Sequence, residues 1–332
     1  MGNAESFMQL PWLRGRQNAE DMEFSGTATE GSLLAMGAWS LVSSSGFGDL
    51  EGDGVPRGGT GYQRPDNLDS GSIKKTFRIM SYNVMSDEKV HVNERMKVIG
   101  KLIEHHSPDI VFFQDVNRNI YEIFKSSSWW NLYKCSVSPE KAILKVDHFC
   151  MMLSKLPVRG FICKLFKDSG MNREICAADI DTGLDKKLVV ATSQLESSTA
   201  AETNTDKRLA QVDELQSLFS HFPNVIFGGD FNWDENKDGD FPLNNGWIDA
   251  WNELKPGENG WTYDTETNPM LKGNNSLQKR FDRFICKSED FCCKSVELIG
   301  IEAISQLSKT NENEISVLPS DHYGLILTIS TE

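Results

Sequence analysis

The chain has 332 residues, of which 39% are hydrophobic, and it carries a formal net charge of -14 at neutral pH. That length allows one large domain with a tail or two small domains, and we favour the first. The acidity argues against a broad, sequence-independent grip on a polyanion, which needs many Lys and Arg side chains. A divalent cation would supply positive charge locally, although acidity also serves simply to keep many proteins soluble.

The seven cysteines include the adjacent pair Cys292 and Cys293. They show no C-x-x-C spacing of a zinc site and no plausible disulfide framework, so we expect a reducing compartment. The chain contains no run of about eighteen apolar residues, and its first residues do not resemble a secretory signal. We therefore expect a soluble, intracellular monomer that does not contact a membrane.

Residues 1–72 are rich in Gly and Ser and show no sustained period, which predicts a disordered tail. This tail holds ten acidic and four basic residues, so it contributes -6 of the net charge of -14 and leaves -8 on the rest. We assign residues 73–332 to one folded domain.

Hydrophobic periodicity predicts regular structure from Phe77 onward. The predicted elements of the first half are a strand at 77–83, a helix at 95–106, a strand at 109–116, a helix at 120–125, and strands at 149–153, 158–166, 175–180 and 188–193. The succession of the last four strands suggests antiparallel pairing.

The predicted elements of the second half are an amphipathic helix at 205–221, a strand from 224, an acidic loop at 234–240, a helix around 247–254, and strands that begin near Arg280, Ser295 and His322. Groups of strands separated by helices predict a four-layer α/β sandwich, with two packed, mostly antiparallel sheets flanked by helices. In such a fold the residues at strand ends gather at one edge and form a site.

The segment N-V-I-F-G-G-D-F-N at residues 224–232 suits a buried strand that ends in two glycines and then presents Asp230 and Asn232. Without β-carbons, glycines allow a sharp turn and the close approach of a ligand. Asp230 and Asn232 are two apart on an extended chain and point the same way, so one face offers a base and a neutral hydrogen-bond donor. The alternative is an ordinary turn after a core strand.

Polar residues also end the other predicted strands. They are Asn83, Asp115, Gln194 with Glu196, and Asp321 with His322, to which Asp282 adds a carboxylate among apolar neighbours. Carboxylate and carboxamide oxygens are the ligands of Mg²⁺, with Mn²⁺ as a substitute, and they do not suit zinc. Each residue taken alone is equally typical of a helix cap or a turn.

Six short motifs taken together resemble the endonuclease/exonuclease/phosphatase superfamily. They are S-Y-N-V (81–84), F-Q-D-V (113–116), T-S-Q-L-E-S (192–197), G-G-D-F-N (228–232), R-F-D-R (280–283) and P-S-D-H-Y-G-L (319–325). W-T-Y-D-T (261–265) adds a narrower resemblance to the branch that cleaves tyrosine from DNA 5′ ends, especially its plant-type members. The resemblance covers residues 76–330 and implies a DNase I-like fold.

The resemblance implies a role for each matching residue. Asn83, Asp115 and Asp321 would hold Mg²⁺, Asp230 would activate water, Asn232 would contact the scissile phosphate, and His322, held by Asp282, would stabilise charge on the phosphoryl oxygens. Gln194, Glu196, Arg173, Trp261 and Tyr263 are the expected substrate-binding residues. The two aromatic residues would stack on single-stranded 5′ DNA ends, although both could equally belong to the core.

The implied substrate is the bond between a tyrosine oxygen and a DNA 5′-phosphate in a trapped topoisomerase adduct. A phenol with a pKa of about 10 leaves more readily than a sugar alkoxide, so no strong general acid is needed. DNA repair in the nucleus is the implied setting, with the cytoplasm as the alternative.

Three positions depart from the family pattern. Asp115 stands where the family has Glu, Gln194 stands where it has His, and Met85 replaces an Asp. The shorter Asp115 would reach a metal only through water, and Gln194 cannot carry a proton's charge. Two alternatives therefore stay open. One is another phosphoesterase, such as an abasic endonuclease, an RNA deadenylase or a phosphoinositide phosphatase, and the other is an impaired paralogue that binds DNA ends or partners.

Overall fold

The computed structural model describes residues 74–144, 148–199, 201–271, 276–304 and 316–332. The predicted tail at residues 1–72 lies outside these described residues, so its disorder stays a prediction. Within the described ranges, no helix combines the length and the apolar character needed to cross a membrane.

Regular elements begin close to the predicted positions. The elements of the first half are β1 (Thr76–Asn83), α1 (Val92–His106), β2 (Ile110–Val116), α2 (Arg118–Lys125), β3 (Lys134–Cys135), α3 (Pro139–Leu144), β4 (Phe149–Ser154), β5 (Val158–Leu165), β6 (Glu174–Asp181) and β7 (Lys187–Gln194). A single 3₁₀ turn, Trp130–Leu132, precedes β3.

The second half also contains helices between its strands. Its elements are α4 (Thr205–Leu218), β8 (Asn224–Asp230), α5 (Glu235–Asp238), β9 (Trp247–Asp249), α6 (Ala250–Leu254), β10 (Tyr263–Asp264), β11 (Gln278–Lys279), β12 (Asp282–Ser288), β13 (Cys292–Ile299) and β14 (Gly324–Ser330). A second 3₁₀ turn, Pro269–Leu271, follows β10.

The strands form two six-stranded sheets and one short ribbon. The first sheet has the order β13-β14-β1-β2-β4-β3, the second has the order β5-β6-β7-β8-β12-β9, and β10 pairs with β11. Each large sheet contains one parallel pair, β1 with β2 and β7 with β8, and its other pairs are antiparallel. The predicted sandwich of two mostly antiparallel sheets is confirmed.

The two sheets pack face to face through one apolar layer. Phe77, Ile79 and Phe112 of the first sheet lie in the same buried cluster as Val190 and Ile226 of the second sheet. Successive residues of a strand point to opposite faces, so Met80, Tyr82 and Phe113 face away from this layer. These three residues pack instead in a second cluster with the apolar stripe of α1 and α2.

Helix α4 lies against the second sheet. Its Val212 and Leu215 are fully buried, and its Gln211 accepts a hydrogen bond from the backbone N–H of Glu196, just beyond β7, at 3.0 Å. Glu214 of the same helix forms an ion pair with Lys164 of β5. Together with α1 and α2 on the first sheet, this helix completes the four layers.

The structure corrects two local predictions. The strand at residues 149–153 belongs to the first sheet, where β4 pairs with β2 and β3, and only the next three strands pair in succession. Residues 247–249 form β9 beside β12, and the helix starts only at Ala250. Asp249 causes this delay because its carboxylate accepts the N–H of Trp251 at 3.0 Å and so caps the helix.

The two glycines of β8 have a packing role. The strand does not end at Gly228 but continues to Asp230. A β-carbon on Gly228 would lie 2.4 Å from the ring of Phe284, and one on Gly229 would lie 2.1 Å from the carbonyl oxygen of Ser193. The glycines therefore allow the close approach of neighbouring strands rather than a turn.

Candidate active site

The register of three adjacent strands brings polar side chains to one end of the second sheet. Asp230, the last residue of β8, lies opposite Gln194 of β7 and opposite Asp282 of β12. Asn83 ends β1 of the facing sheet and reaches the same point, because its side chain contacts Asp230. Four residues that are far apart in the sequence thus meet between the two sheets.

Side-chain amides surround the Asp230 carboxylate, which is 1% exposed. Asn83 donates from Nδ2 to Oδ2 at 2.9 Å, and Gln194 and Asn232 each donate to the same oxygen at 3.3 Å. The backbone N–H of Asn232, whose φ is 48°, donates to Oδ1 at 2.9 Å. These neutral donors orient the carboxylate without neutralising it by an ion pair.

His322 and Asp282 form a buried pair beside this carboxylate. His322 Nδ1 lies 2.8 Å from Asp282 Oδ2. Burial by itself lowers the pKa of His322, but the carboxylates of Asp282, Asp230 and Asp321 together raise it to about 10. The imidazole is therefore a cation at neutral pH, suited to a phosphoryl group that gains negative charge.

The loop before β14 is fixed to the end of β1. Ser320 donates from Oγ to the carbonyl oxygen of Asn83 at 2.7 Å, and the Asn268 amide donates to the carbonyl oxygens of Ser320 and Asp321 at 3.1 and 3.2 Å. Asp321 is half-buried and accepts a hydrogen bond from Ser320 Oγ at 3.2 Å. These contacts keep Asp321 and His322 at the same cleft as Asn83.

Asp115 sits on a β-bulge that turns its side chain out of the ladder. The pairing of β2 with β4 shifts between Phe113 and Val116, and Asp115 has a φ of 60°. Its Oδ2 accepts hydrogen bonds from the N–H and the hydroxyl of Ser86 at 2.8 and 2.9 Å, and its Oδ1 lies 2.8 Å from His148 Nδ1. Although burial raises the pKa of Asp115, these contacts lower it to about 2.

Glu196 is fully buried and engaged with the loop between β5 and β6. Its carboxylate accepts hydrogen bonds from Ser169 Oγ at 3.0 Å and from the N–H of Gly170 at 2.7 Å. Ser169 Oγ in turn accepts the N–H of Arg173 at 2.7 Å, and the Arg173 guanidinium donates to Gln194 Oε1. Glu196 thus holds the loop that presents Arg173, and its direct contact with substrate stays a prediction.

Of the two predicted stacking residues, the structure brings only Tyr263 next to the cluster. The Tyr263 ring lies 5.3 Å from the His322 ring, centroid to centroid, and 5.4 Å from the ring of Phe281. Trp261 is half-buried and lines two neighbouring surface cavities of about 670 and 620 Å³. Phe281, whose ring centroid lies 6.1 Å from that of His322, is a candidate that the sequence pattern did not single out.

Sequence reasoning also missed Arg95, which is fully buried on α1. Its guanidinium donates hydrogen bonds to five backbone carbonyl groups, which belong to Val84, Met85, Asp87, Val90 and Pro319. One cation thus joins the loop after Asn83 to the loop before Asp321. The sequence did contain a signal for a buried Arg95. It lies four residues before Ile99, on the apolar stripe of the helix, where side chains usually face the core.

We expect Arg95→Met to lower the free energy of unfolding by about 3 kcal/mol, because buried carbonyl groups would lose their donors. Urea denaturation of the variant beside Lys97→Met, an exposed change on the same helix, measures the effect. Equal midpoints for the two variants would contradict this role of Arg95.

The residues that converge have the chemistry of a hydrolytic metal site. The ligand atoms of Asp230, Asp282 and His322 lie within 4.8 Å of one another, a spacing that would suit a metal ion only with His322 neutral, and the raised pKa of His322 makes it a cation instead. Within the described ranges, Asp282 Oδ1 is a buried oxygen without a hydrogen-bond partner. Asp115 lies outside this three-residue cluster, in its own contact with Ser86 and His148.

Comparison of the sequence with known proteins identifies its family. A sequence profile of the Endonuclease/Exonuclease/phosphatase family matches residues 80–322. "Tyrosyl-DNA phosphodiesterase 2" of Xenopus tropicalis is 28% identical over 264 residues, which cover 75% of this chain and 65% of that protein. The "5'-tyrosyl-DNA phosphodiesterase" of Caenorhabditis briggsae is 26% identical over 263 residues, which cover 76% of this chain and 69% of that protein. The match to the Xenopus tropicalis protein thus spans slightly less than two thirds of its length.

Solved structures show the same fold. D. rerio TDP2 complexed with single strand DNA product superposes with a TM-score of 0.65 at 21% identity, covering 77% of this chain and all of that chain. The catalytic domain of human Nocturnin with bound sulfate superposes with a TM-score of 0.57 at 15% identity, covering 77% of this chain and 93% of that chain.

Proposed function

The chain belongs to the endonuclease/exonuclease/phosphatase family, and from this premise we propose that it hydrolyses the bond between a tyrosine oxygen and a DNA 5′-phosphate. One observation carries the proposal. A buried carboxylate, Asp230, is oriented by Asn83, Gln194 and Asn232 next to the imidazolium of His322, which is paired with Asp282. A phosphodiester hydrolase needs this combination of a base for water and positive charge for the phosphoryl oxygens.

We assign the roles as follows. Asp230 accepts a proton from the attacking water, because it is a carboxylate held in place by the amides of Asn83, Gln194 and Asn232. Asn232, whose half-buried side-chain amide donates to Leu195 O and Asp230 Oδ2, contacts the scissile phosphate by exchanging one of these partners for a phosphoryl oxygen. The imidazolium of His322 stabilises the charge that develops on the phosphoryl oxygens, and Asp282 keeps it protonated and oriented.

Arg173 is the substrate-binding residue with the most capacity to donate. Its guanidinium contacts Gln194 Oε1, and its Nε is buried with no hydrogen-bond partner among the described residues. An arginine at this place can donate to a phosphate oxygen or to the departing phenolate. Because Gln194 lacks charge, Arg173 supplies a cation at the β7 strand end.

The donor set fits a hard divalent cation, which we propose to be Mg²⁺, with Mn²⁺ as a substitute. Asn83, Asp115 and Asp321 would hold it, since they offer carboxylate and carboxamide oxygens. Asp115 uses three of its roughly four acceptor positions on Ser86 and His148, which leaves room for one further ligand or a bridging water. The cation, when bound, polarises the phosphoryl oxygens and offsets the acidity of the cleft.

The proposed substrate is a single-stranded 5′ end that carries a phosphotyrosyl peptide, as left by a trapped topoisomerase. Two observations support it: the names of the curated relatives, and the single-strand DNA product bound to the structural neighbour from D. rerio. The half-buried rings of Tyr263 and Phe281 beside His322 offer surfaces for base stacking. The net charge of -14 suits recognition of an end better than a grip along a duplex.

Release of tyrosine from a 5′-phosphotyrosyl oligonucleotide in the presence of Mg²⁺ tests the proposal. We expect turnover that stops when a chelator is added and resumes with Mg²⁺. Abasic duplex DNA, poly(A) and a phosphoinositide headgroup serve as competing substrates. Faster cleavage of any of these three would reject the proposed substrate and favour another phosphoesterase of the family.

A second candidate function rests on Asp115 and Gln194, which replace the Glu and His that the family pattern has. An impaired paralogue would bind 5′ DNA ends without turnover. We expect Asp115→Glu and Gln194→His each to raise kcat for tyrosine release by about tenfold. The longer Glu side chain would reach the metal directly, and a His side chain could carry a positive charge. Asp87→Glu, an exposed methylene addition nearby, is the matched control.

Tyrosine release by the natural chain, compared with release by the two variants, decides between the two candidate functions. Measurable turnover of the natural chain supports the enzyme, and tyrosine release only by the revertants supports the paralogue. If neither reversion changes kcat, the two replacements are not responsible for any loss of rate. We also propose nuclear residence, which a fluorescent fusion of the full chain tests against a cytoplasmic distribution.

A further inference from the structure

Three metal-ligating side chains meet at a place that the proposed function does not use. Cys163 of β5 lies directly opposite Cys176 of β6, and their sulfur atoms are 3.0 Å apart. Glu174 stands two residues before Cys176 on the same strand, so its side chain projects from the same face of the sheet. The two sulfurs and a Glu174 carboxylate oxygen all lie within 4.8 Å of one another.

We propose that Cys163, Cys176 and Glu174 form a binding site for a thiophilic divalent cation of the zinc class. Zinc takes cysteine sulfur and glutamate oxygen as ligands, and sites with three protein ligands complete a tetrahedron with water. Thiolates select zinc over Mg²⁺, so this site and the oxygen-lined cleft around Asp230 would take different ions. The inference does not depend on the proposed phosphodiesterase activity.

The distances fit a metal at the cost of a small movement. Two sulfurs bound to one tetrahedral zinc lie about 3.8 Å apart, so the present separation would widen by less than 1 Å. A disulfide between the same cysteines would require the sulfurs to approach by a similar amount, to about 2 Å. Glu174 favours a metal site over a disulfide, because its carboxylate would be a third metal ligand and would take no part in a disulfide.

The surroundings of the two sulfurs favour uptake from solvent. Cys163 is exposed, so a cation can reach it from solvent, whereas Cys176 is buried and would shield the bound cation from solvent. The hydrogen bond with Cys163, followed by burial, raises the pKa of the Cys176 thiol well above its usual range. Binding of a cation must therefore expel protons from the sulfurs, which provides a signal separate from any enzymatic activity.

The site lies at the base of the loop that carries Arg173. The N–H of Phe166 donates to the carbonyl oxygen of Arg173 at 3.0 Å, and Ser193 Oγ donates to the carbonyl oxygen of Glu174 at 2.9 Å. A cation that joins β5 to β6 here would fix both ends of the loop. We expect its binding to raise the melting temperature of the protein, because it binds only the folded arrangement.

The test uses the full, untagged chain, reduced and freed of metal by a chelator, in excess Mg²⁺. Titration with Zn²⁺ against a chromophoric chelator should show one tight equivalent and release of about two protons. Cd²⁺ should produce ultraviolet sulfur-to-metal charge-transfer absorption. Cys163→Ser should abolish the tight equivalent, and Glu174→Gln should weaken it by about tenfold. Cys292→Ser, an exposed cysteine of β13, is the matched control and should bind like the natural chain.

Three results would overturn the proposal. The first is an absence of tight Zn²⁺ binding by the reduced chain, and the second is equal binding by Cys163→Ser and Cys292→Ser. The third is oxidation without metal binding, in which hydrogen peroxide removes two electrons and two protons from the thiols, forms the disulfide and leaves two waters. Because Cys163 is exposed, its serine variant should keep the fold, which circular dichroism checks independently.

Discussion

Replacing Asp230 by asparagine is expected to lower kcat for tyrosine release by about 10³-fold, because a carboxamide cannot accept the proton of the attacking water. The substitution keeps the size of the side chain and one acceptor oxygen. That oxygen can still receive the amides of Asn83, Gln194 and Asn232, so the cleft should keep its shape. Single-turnover release from a 5′-phosphotyrosyl oligonucleotide measures the loss.

Two controls separate chemistry from stability in this experiment. Asp213→Asn changes an exposed carboxylate on α4 and should leave kcat unchanged. The new amide nitrogen of Asp230→Asn faces the N–H of Asn232, so we expect the free energy of unfolding to fall by about 1 to 2 kcal/mol. A variant that retains more than about a tenth of the natural rate would remove Asp230 from the role of base.

The polar strand ends could be predicted from the sequence because the alternation of side chains along a strand is local, whereas the register between strands is not. Alternation in β7, β8 and β12 set which face each residue takes, and their polar ends, Gln194, Asp230 and Asp282, fell at the same level of the sheet. The paired strands could be identified from the motifs that resemble the family. The glycines of β8 were assigned to a turn and to the approach of a ligand, whereas they allow close packing against Phe284, which lies on a strand more than 50 positions away.

Alternation along the strands could not predict contacts that depend on irregular backbone or on the pairing of two strands. The contact of His148 with Asp115 depends on the bulge in β2, which breaks the alternation that sequence reading relies on. The sulfurs of Cys163 and Cys176 are thirteen positions apart and match no zinc spacing, and only the register of β5 with β6 brings them together. Spacing rules find ligands within one turn or loop and miss those on neighbouring strands.

The pH dependence of the rate should report the pair formed by His322 and Asp282. The pKa of His322 is raised to about 10 from its ordinary 6.5, so the imidazole stays protonated through neutral pH and loses its proton only as the pH rises through 10. If the cationic form is the active one, the natural chain should show no alkaline loss of kcat between about pH 6 and 9.

Asp282→Asn should move that alkaline loss into the measured range. Asp282 is the carboxylate that most raises the pKa of His322, whereas burial lowers this pKa. Without the charge of Asp282, the pKa of His322 should therefore fall. We expect kcat of the variant to fall with rising pH and to lie about 10²-fold below the natural value at pH 9, with a smaller deficit at pH 6. His322→Gln, which removes the titrating group, should be slow at every pH and show no such slope. An Asp282→Asn profile parallel to that of the natural chain would mean that the charge on His322 does not take part in the rate-limiting step, and that Asp282 only orients the ring.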